Sequence, residues 1–231
     1  VGVQKDTDGR DRILRAAARL VAESGGEPVS TRAVCAAAGV GAPTLYHHFG
    51  DKQGLLDAVA AHGLEEYLAS KRAQPGTGDP VDDLRHGWDL HVEFGVSHPA
   101  VYALIYGSPR TPPAADEAYA ILLGLVGAVA RAGRLRVPVE TAARMIQAAS
   151  VGVVLFLVAN GDDGGGLSAR TREAVLAAVT VPKDPSAGPA SPDARAASAL
   201  ALRAALSAGP PSGFSPAEAA LLAEWLDRLT G

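Results

Sequence analysis

Cysteine is almost missing from this 231-residue chain: Cys35 stands alone, so no disulfide can close within one chain, and a small thiol on an apolar-periodic stretch reads as a packing residue. Uncharged runs are short as well. The apolar run Met145 to Ala159 falls below the roughly 20 apolar residues a bilayer span needs and contains Gln147 and Ser150, so it reads as a buried helix and no membrane partner is expected. No basic-then-apolar segment opens the chain, which predicts a cytoplasmic protein. With 48% hydrophobic and 20% charged residues the composition is globular and excludes a disordered acidic or basic tail.

The residues that carry catalysis are also sparse. Six histidines are scattered; the adjacent His47 and His48 point in two directions on a helix, and His86 and His91 are five apart, which puts neither pair on one face for a metal. No serine sits in a nucleophile elbow, no glycine-rich phosphate loop follows a strand, and Asp162-Asp163 lacks the alternating oxygen ligands and distal glutamate of a calcium loop, leaving a solvated turn. No enzyme activity, cofactor or metal is expected. Strand alternation, internal repeats and a dinucleotide-binding pattern are absent too, so the chain is read as all-α.

What the chain does contain is a stretch from residue 30 to residue 52 with the punctuation of two short helices meeting at a glycine turn. Ser30 can cap the first, Val34, Ala37 and Ala38 fall on one narrow apolar face, and Gly39 supplies a permissive C-terminus. Gly41 or Ala42 reopens the chain, with Pro43 in the first turn of the second helix, where its missing N–H costs nothing. Two turns of helix are not stable alone. Leu45 and Phe49 are the expected packing contacts, which turns Thr44, Tyr46, His47 and His48 outward, and a row of hydroxyl, phenol and imidazole groups suits phosphates and base edges.

Gly39-Val40, Thr44-Leu45-Tyr46, His48-Phe49 and Asp51-Lys52 followed by Leu55-Leu56 resemble the DNA-binding signature of the tetracycline-repressor (TetR) family, over roughly residues 10 to 70. The resemblance implies an all-helical homodimer: an N-terminal three-helix DNA-binding domain, a connector helix, and a C-terminal bundle that binds a small ligand and dimerises. Carried over by position, it places Thr31 and Arg32 in the major groove, turns Ala42, Pro43 and Tyr46 toward bases, and sets Thr44, His47, His48 and Lys52 on phosphates. Two positions depart from the pattern. Gly41 stands where the family commonly has a capping serine, and Ala42 where it often has a polar base reader, so readout there reduces to an apolar contact and Arg32 becomes the best candidate for a specific contact, to guanine.

Charge is neutral evidence for that reading. The net charge is −4, but the first 72 residues carry as many basic as acidic side chains and the acidity belongs to the remainder, so a DNA face must be a local stripe. Along the rest of the chain, Asp8 starts a first helix carrying Ile13, Leu14, Ala17, Leu20 and Val21; a connector helix covers 52–72; the breaker cluster 74–80 marks the domain boundary. Further helices are expected over 81–97, 101–106, 115–132, 139–160, 168–181, 194–207 and 216–229, with a flexible loop over 182–193. The domains are therefore 1–51 for DNA binding, 52–72 as connector and 81–231 for ligand binding and dimerisation.

Trp88, His91, Phe94, Tyr102, Tyr106, Tyr119, Met145, Gln147 and Phe156 place hydroxyls, imidazole and amide among apolar side chains, the lining of a pocket for an apolar ligand with a few polar groups. Ser215, Pro216 and Glu218 form a capping box, and the stripe Leu221, Leu222, Trp225, Leu226 and Leu229 behind it is too apolar for a solvated terminal helix, so it is assigned to the dimer interface. The function expected is a repressor that binds a near-palindromic double-stranded operator as a homodimer and is released by a small-molecule effector. A helical ligand-binding or scaffolding protein with a vestigial helix-turn-helix, and an activator using the same DNA contacts, remain open at this point.

Overall fold

The computed structural model describes residues 2–25, 27–73, 75–107, 112–161, 166–181, 192–207 and 213–230. Over these the chain runs as helices α1 (Gly2–Glu23), α2 (Thr31–Ala38), α3 (Ala42–Phe49), α4 (Lys52–Ala73), α5 (Pro80–Ser97), α6 (Pro99–Tyr106), α7 (Pro113–Arg131), α8 (Val139–Asn160), α9 (Leu167–Val179), α10 (Pro192–Ser207) and α11 (Pro216–Leu229). The fold is all-α; one isolated antiparallel bridge, Leu135 to Thr180, is the only β pairing among the described residues. Helix α1 begins before the Asp8 start that the sequence predicts. The loop predicted over 182–193 falls on 182–191, outside the described residues, while 192 and 193 already belong to α10.

The chain divides into two units. The first comprises Val1–Gln74, Leu90–Ala118 and Val154–Asp162. Its core joins Ile13, Ala16, Ala17 and Val21 of α1 to Val34 and Ala38 of α2, Leu45 of α3, and Leu55 and Val59 of α4, all nearly inaccessible to solvent. Ala100 and Leu104 of α6 press on the same cluster. Gly63 lets α4 and α6 approach: a Cβ there would lie 2.7 Å from Cγ1 of Val101.

Further along α4 the first unit has a second, aromatic core. Tyr67 stacks on Phe94 at 4.6 Å between centroids, and the buried His91 lies edge-on to Tyr67, Tyr102 and Tyr106. His91 Nδ1 is 3.0 Å from the Tyr67 hydroxyl and Nε2 is 2.9 Å from the Tyr102 hydroxyl. A neutral imidazole has one donor and one acceptor nitrogen, so one phenol donates to the ring and the other accepts from it, which gives both ring nitrogens a partner. Burial, reinforced by the Lys71 ammonium, pushes the imidazole down to about 3, and burial pushes the Tyr67 and Tyr102 phenols up.

The second unit comprises Pro75–Asp89, Tyr119–Val153 and Asp163–Gly231. Val81, Leu84 and Trp88 of α5, Val126, Val129 and Ala130 of α7, Ala142, Ala143 and Ile146 of α8, and Leu176 and Val179 of α9 are among its buried apolar residues, with Leu200 and Leu226 on α10 and α11. Trp88 Nε1 donates to the Ser168 hydroxyl at 3.0 Å. The Arg85 guanidinium forks onto Glu173 at 2.9 to 3.1 Å and reaches Asp82 at 2.6 Å, and its hydrogen bonds hold the Glu173 carboxyl below the usual range. Ser215 and Glu218 make the reciprocal capping bonds that start α11.

Helix α8 is not buried as its composition predicts. Ala142, Ala143, Ile146, Val153, Val154 and Leu157 are covered, but Met145, Leu155, Phe156 and Val158 are exposed. By length and composition alone α7 and α8 could each cross a bilayer, a test that the core helix of a soluble protein also passes.

Two outcomes follow from this packing. Gly63→Ala destabilises the chain by about 1 to 3 kcal/mol in urea unfolding, because the new methyl meets a branched side chain in a packed contact, and Val101→Ala in the same chain recovers part of the loss. Between pH 6.5 and 3 the unfolded chain takes up a proton that the buried His91 refuses, so stability present above pH 6.5 is lost as pH falls. The slope from this group approaches about 1.4 kcal/mol per pH unit; unfolding at pH 7, 6 and 5 shows it in the native chain and not in His91→Phe.

Candidate nucleic-acid interface

The punctuation of residues 30 to 50 is realised atom by atom. Ser30 Oγ accepts the Ala33 N–H at 3.2 Å to open α2, and Gly39 closes it in the left-handed region at φ 64°. Gly41 opens α3 with no side-chain cap, Pro43 occupies the first turn, and Gly50 ends the helix at φ 75°. Asp51 Oδ1 accepts the Gly54 N–H at 2.7 Å at the start of α4.

The two short helices divide cleanly into faces. Val34, Ala38 and Leu45 are buried, and Phe49 is half-buried with the Arg10 guanidinium 5.3 Å over its ring. Ala37, expected on the inner face, is exposed. Arg32, Ala42, Pro43, Thr44, Tyr46, His47 and Lys52 are exposed and Thr31 is half-buried. His48 is half-buried like Thr31, edge-on to Phe49 at 6.3 Å and close to Gly9 of α1. The exposed set offers one guanidinium, one ammonium, hydroxyls, a phenol and imidazole, with no carboxylate among them, which suits a polyanion.

Of the nine residues predicted to line a ligand pocket, four come together: His91, Phe94, Tyr102 and Tyr106, in the aromatic core of the first unit. Phe156 belongs to the same unit by position but is 53% exposed. Trp88, Tyr119, Met145 and Gln147 belong to the second unit; Trp88 is buried against Ser168, Tyr119 and Gln147 are half-buried, and Met145 is exposed. Sequence reasoning missed two members of the aromatic core, Tyr67 and Lys71, whose Nζ lies 4.9 Å over the Tyr67 ring. Tyr67 shares one side of α4 with Leu55, Leu56 and Val59, and nothing local in the sequence separates it from them.

A groove of about 340 Å³ is lined by Arg10 and Leu14 of α1, Ala58, His62 and Leu68 of α4, and the Arg72–Glu117 ion pair between α4 and α7. Within the assigned dimer stripe, Leu226 is buried, Leu222 is half-buried, and Leu221, Trp225 and Leu229 are 44%, 53% and 61% exposed. The Arg203–Asp227 pair at 3.1 Å ties α11 to α10.

Residues 13–59 match the family model described as bacterial regulatory proteins, tetR family, and residues 84–176 match that of the tetracyclin repressor-like C-terminal domain. The chain is 35% identical over 88 residues to the HTH-type transcriptional regulator UidR of Escherichia coli (strain K12), a match that covers 38% of this chain and spans only 41% of the length of that relative. A TetR family transcription regulator from Marinobacter aquaeolei VT8 superposes with a TM-score of 0.58 at 22% identity, covering 78% of this chain and 99% of that one. A single-residue variant of TetR from Acinetobacter baumannii AYE, solved in complex with minocycline, superposes with a TM-score of 0.54 at 22% identity, covering 71% and 90%. At such identities the superpositions speak for the fold alone. The two family models take up the helix-turn-helix and most of the C-terminal helices, together more than half of the sequence, and this chain belongs to the tetR family of bacterial regulatory proteins.

Proposed function

We propose that this protein is a ligand-responsive transcriptional repressor that binds a near-palindromic operator as a homodimer and is released from it by a small-molecule effector. The observation that carries the reading is the outward face of α2 and α3, where Arg32, Thr44, Tyr46 and His47 are exposed while Val34, Ala38 and Leu45 anchor the helices from below. Residues 1–51 act on DNA, 52–72 connect, and 81–231 bind effector and partner. Arg32 reads a base, with Thr31, Ala42, Pro43 and Tyr46 beside it in the major groove; Thr44, His47, His48 and Lys52 hold phosphates. The name of the UidR relative supports transcriptional regulation, and the minocycline complex of the Acinetobacter protein supports control by a small molecule. The regulator has no catalytic role in this reading and works in the cytoplasm, where operator DNA is.

In the dimer two recognition helices must enter successive major grooves about 34 to 36 Å apart. An effector shifts the equilibrium only if it binds better to a conformer that lacks that spacing. His91, Phe94, Tyr102 and Tyr106 are the effector-facing set, and α4, which carries Tyr67 at one end and abuts α3 at the other, is the lever. The exposed Leu221, Trp225 and Leu229 on α11 supply apolar area for the two-fold contact.

Sequence selection from a random DNA pool, followed by salt titration on the winning site, tests the reading. Enrichment of a near-palindrome is expected; no enrichment at low salt leaves a helical ligand-binding protein with a vestigial helix-turn-helix. On the selected site Arg32→Ala costs about 1 to 3 kcal/mol and relaxes preference at one base position, whereas Lys52→Ala weakens all sequences alike and lowers the salt slope by about one. In sedimentation, Trp225→Ser combined with Leu229→Ser gives monomers; an unchanged dimer removes α11 from the interface.

A further inference from the structure

Arg10 has a partner that is not an anion. Its guanidinium lies 5.3 Å over the Phe49 ring, the side chain is exposed, and among the described residues it makes no hydrogen bond or ion pair. Other arginines of the same unit are matched: Arg12 with Asp8, Arg19 with Glu23 and Arg72 with Glu117. Two carboxylates line the groove that Arg10 also borders, and both are turned to other groups, Glu117 to Arg72 and Glu65 to His62 at 3.5 Å.

Phe49 is the last residue of α3, so this contact places Arg10 at the C-terminal end of the recognition helix. The backbones meet there as well: a Cβ on Gly9 would lie 3.3 Å from Nε2 of His48, whose ring is edge-on to Phe49 at 6.3 Å and to His47 at 5.4 Å. Lys52 opens α4 just beyond, and Asp51 between them already accepts the Gly54 N–H. Along α1, Arg10, Leu14, Ala17 and Val21 follow one line of the helix. Ala17 and Val21 are buried and Leu14 is half-buried, so Arg10 stands where that line leaves the core, beside the phosphate-facing residues of α3 and α4.

We propose that Arg10 holds a DNA phosphate flanking the bases read by α3, a contact made from α1 and outside the helix-turn-helix itself. The proposal rests on the operator reading given above. Among Thr44, His47, His48 and Lys52, the residues assigned to phosphates, only Lys52 is a lysine or arginine. That is thin footing for a binder whose affinity comes largely from neutralised phosphates, and Arg10 adds a second such cation beside it. Stacking on Phe49 fixes the plane of the guanidinium and leaves its N–H edge in solvent. A fork held in that way matches two phosphate oxygens, and because the ring already restricts the side chain, less freedom is lost when the contact forms. A methionine or leucine would cover the ring equally well; what the arginine adds is the charged edge.

The test is a salt titration of operator binding by the full chain, read by fluorescence anisotropy, in the native protein, Arg10→Met and Arg10→Lys. Methionine keeps the Phe49 ring covered and removes only the charge. Arg10→Met is expected to lower the slope of log K against log salt by about 0.9 for each half-site and to weaken all sequences in the same proportion. Arg10→Lys keeps the slope, and Arg131→Met, an equal loss of charge in the second unit, leaves it unchanged. Replacing operator phosphates one at a time by methylphosphonate locates the contact: one position in each half-site costs the native chain affinity and costs Arg10→Met nothing. Melting curves establish that the variants are folded, and Arg10→Gln repeats the comparison with a polar side chain. An unchanged slope in folded Arg10→Met, the same methylphosphonate profile in both chains, or an equal fall in slope in Arg131→Met overturns the contact and leaves Arg10 as a cover for Phe49. A native chain with no salt-dependent DNA binding overturns the operator reading and the contact together.

Discussion

A two-turn helix cannot hold itself in water, because the dihedrals fixed to start it are not repaid over so few hydrogen bonds. The presentation of α3 therefore depends on Leu45, which is completely buried against α1, α2 and α4. Its burial contributes about 1.5 to 3 kcal/mol and sets the rotation of the helix, which is why Thr44, Tyr46 and His47 face outward. Ser30, Gly39 and Gly50 bring the chain to that core at the right angle; the core then does the holding.

Two helices of the first unit are used on more than one side. Helix α6 presses Ala100 and Leu104 onto the core under the DNA face and turns Tyr102 toward His91. Helix α4 contributes Leu55 and Val59 to that core and Tyr67 to the aromatic one. The two cores are therefore connected by rigid elements, and Gly63, where α4 and α6 meet, is a point at which a single methyl would push them apart. A buried imidazole between two phenols adds directionality that aliphatic packing lacks: its two nitrogens accept only one arrangement of donors and acceptors at a time. In the second unit the equivalent specificity comes from ion pairs at the surface, where the Arg85–Glu173 fork and the Arg172–Asp89 pair tie α5 to α9. Exposed pairs of this kind fix register more than they add stability.

Helix boundaries were largely legible in the sequence because the signals that set them are local. Ser30, Gly39, Pro43, Pro99 and the Ser215–Glu218 box act on the backbone within four residues, and the structure starts or stops helices at each. The inner face of α3 was legible for the same reason: in eight residues only Leu45 and Phe49 can point toward a core. Residues of the aromatic core were only half legible. His91, Phe94, Tyr102 and Tyr106 stand out as polar aromatics in apolar surroundings, whereas Tyr67 and Lys71 look like ordinary members of an amphipathic helix until α5 and α6 are packed against them.

By itself, the sequence determined that this chain is helical, where its helices begin and end, and which short segment faces DNA in the proposed function, since capping and periodicity are properties of a few consecutive residues. Only the tertiary structure decided which apolar faces find a partner. Helical period assigns Phe156, Trp225 and Tyr67 equally to apolar stripes, yet Tyr67 is buried under a histidine while Phe156 and Trp225 stand in solvent. Burial depends on what another helix, distant in sequence, brings to the same place, and no local pattern carries that information.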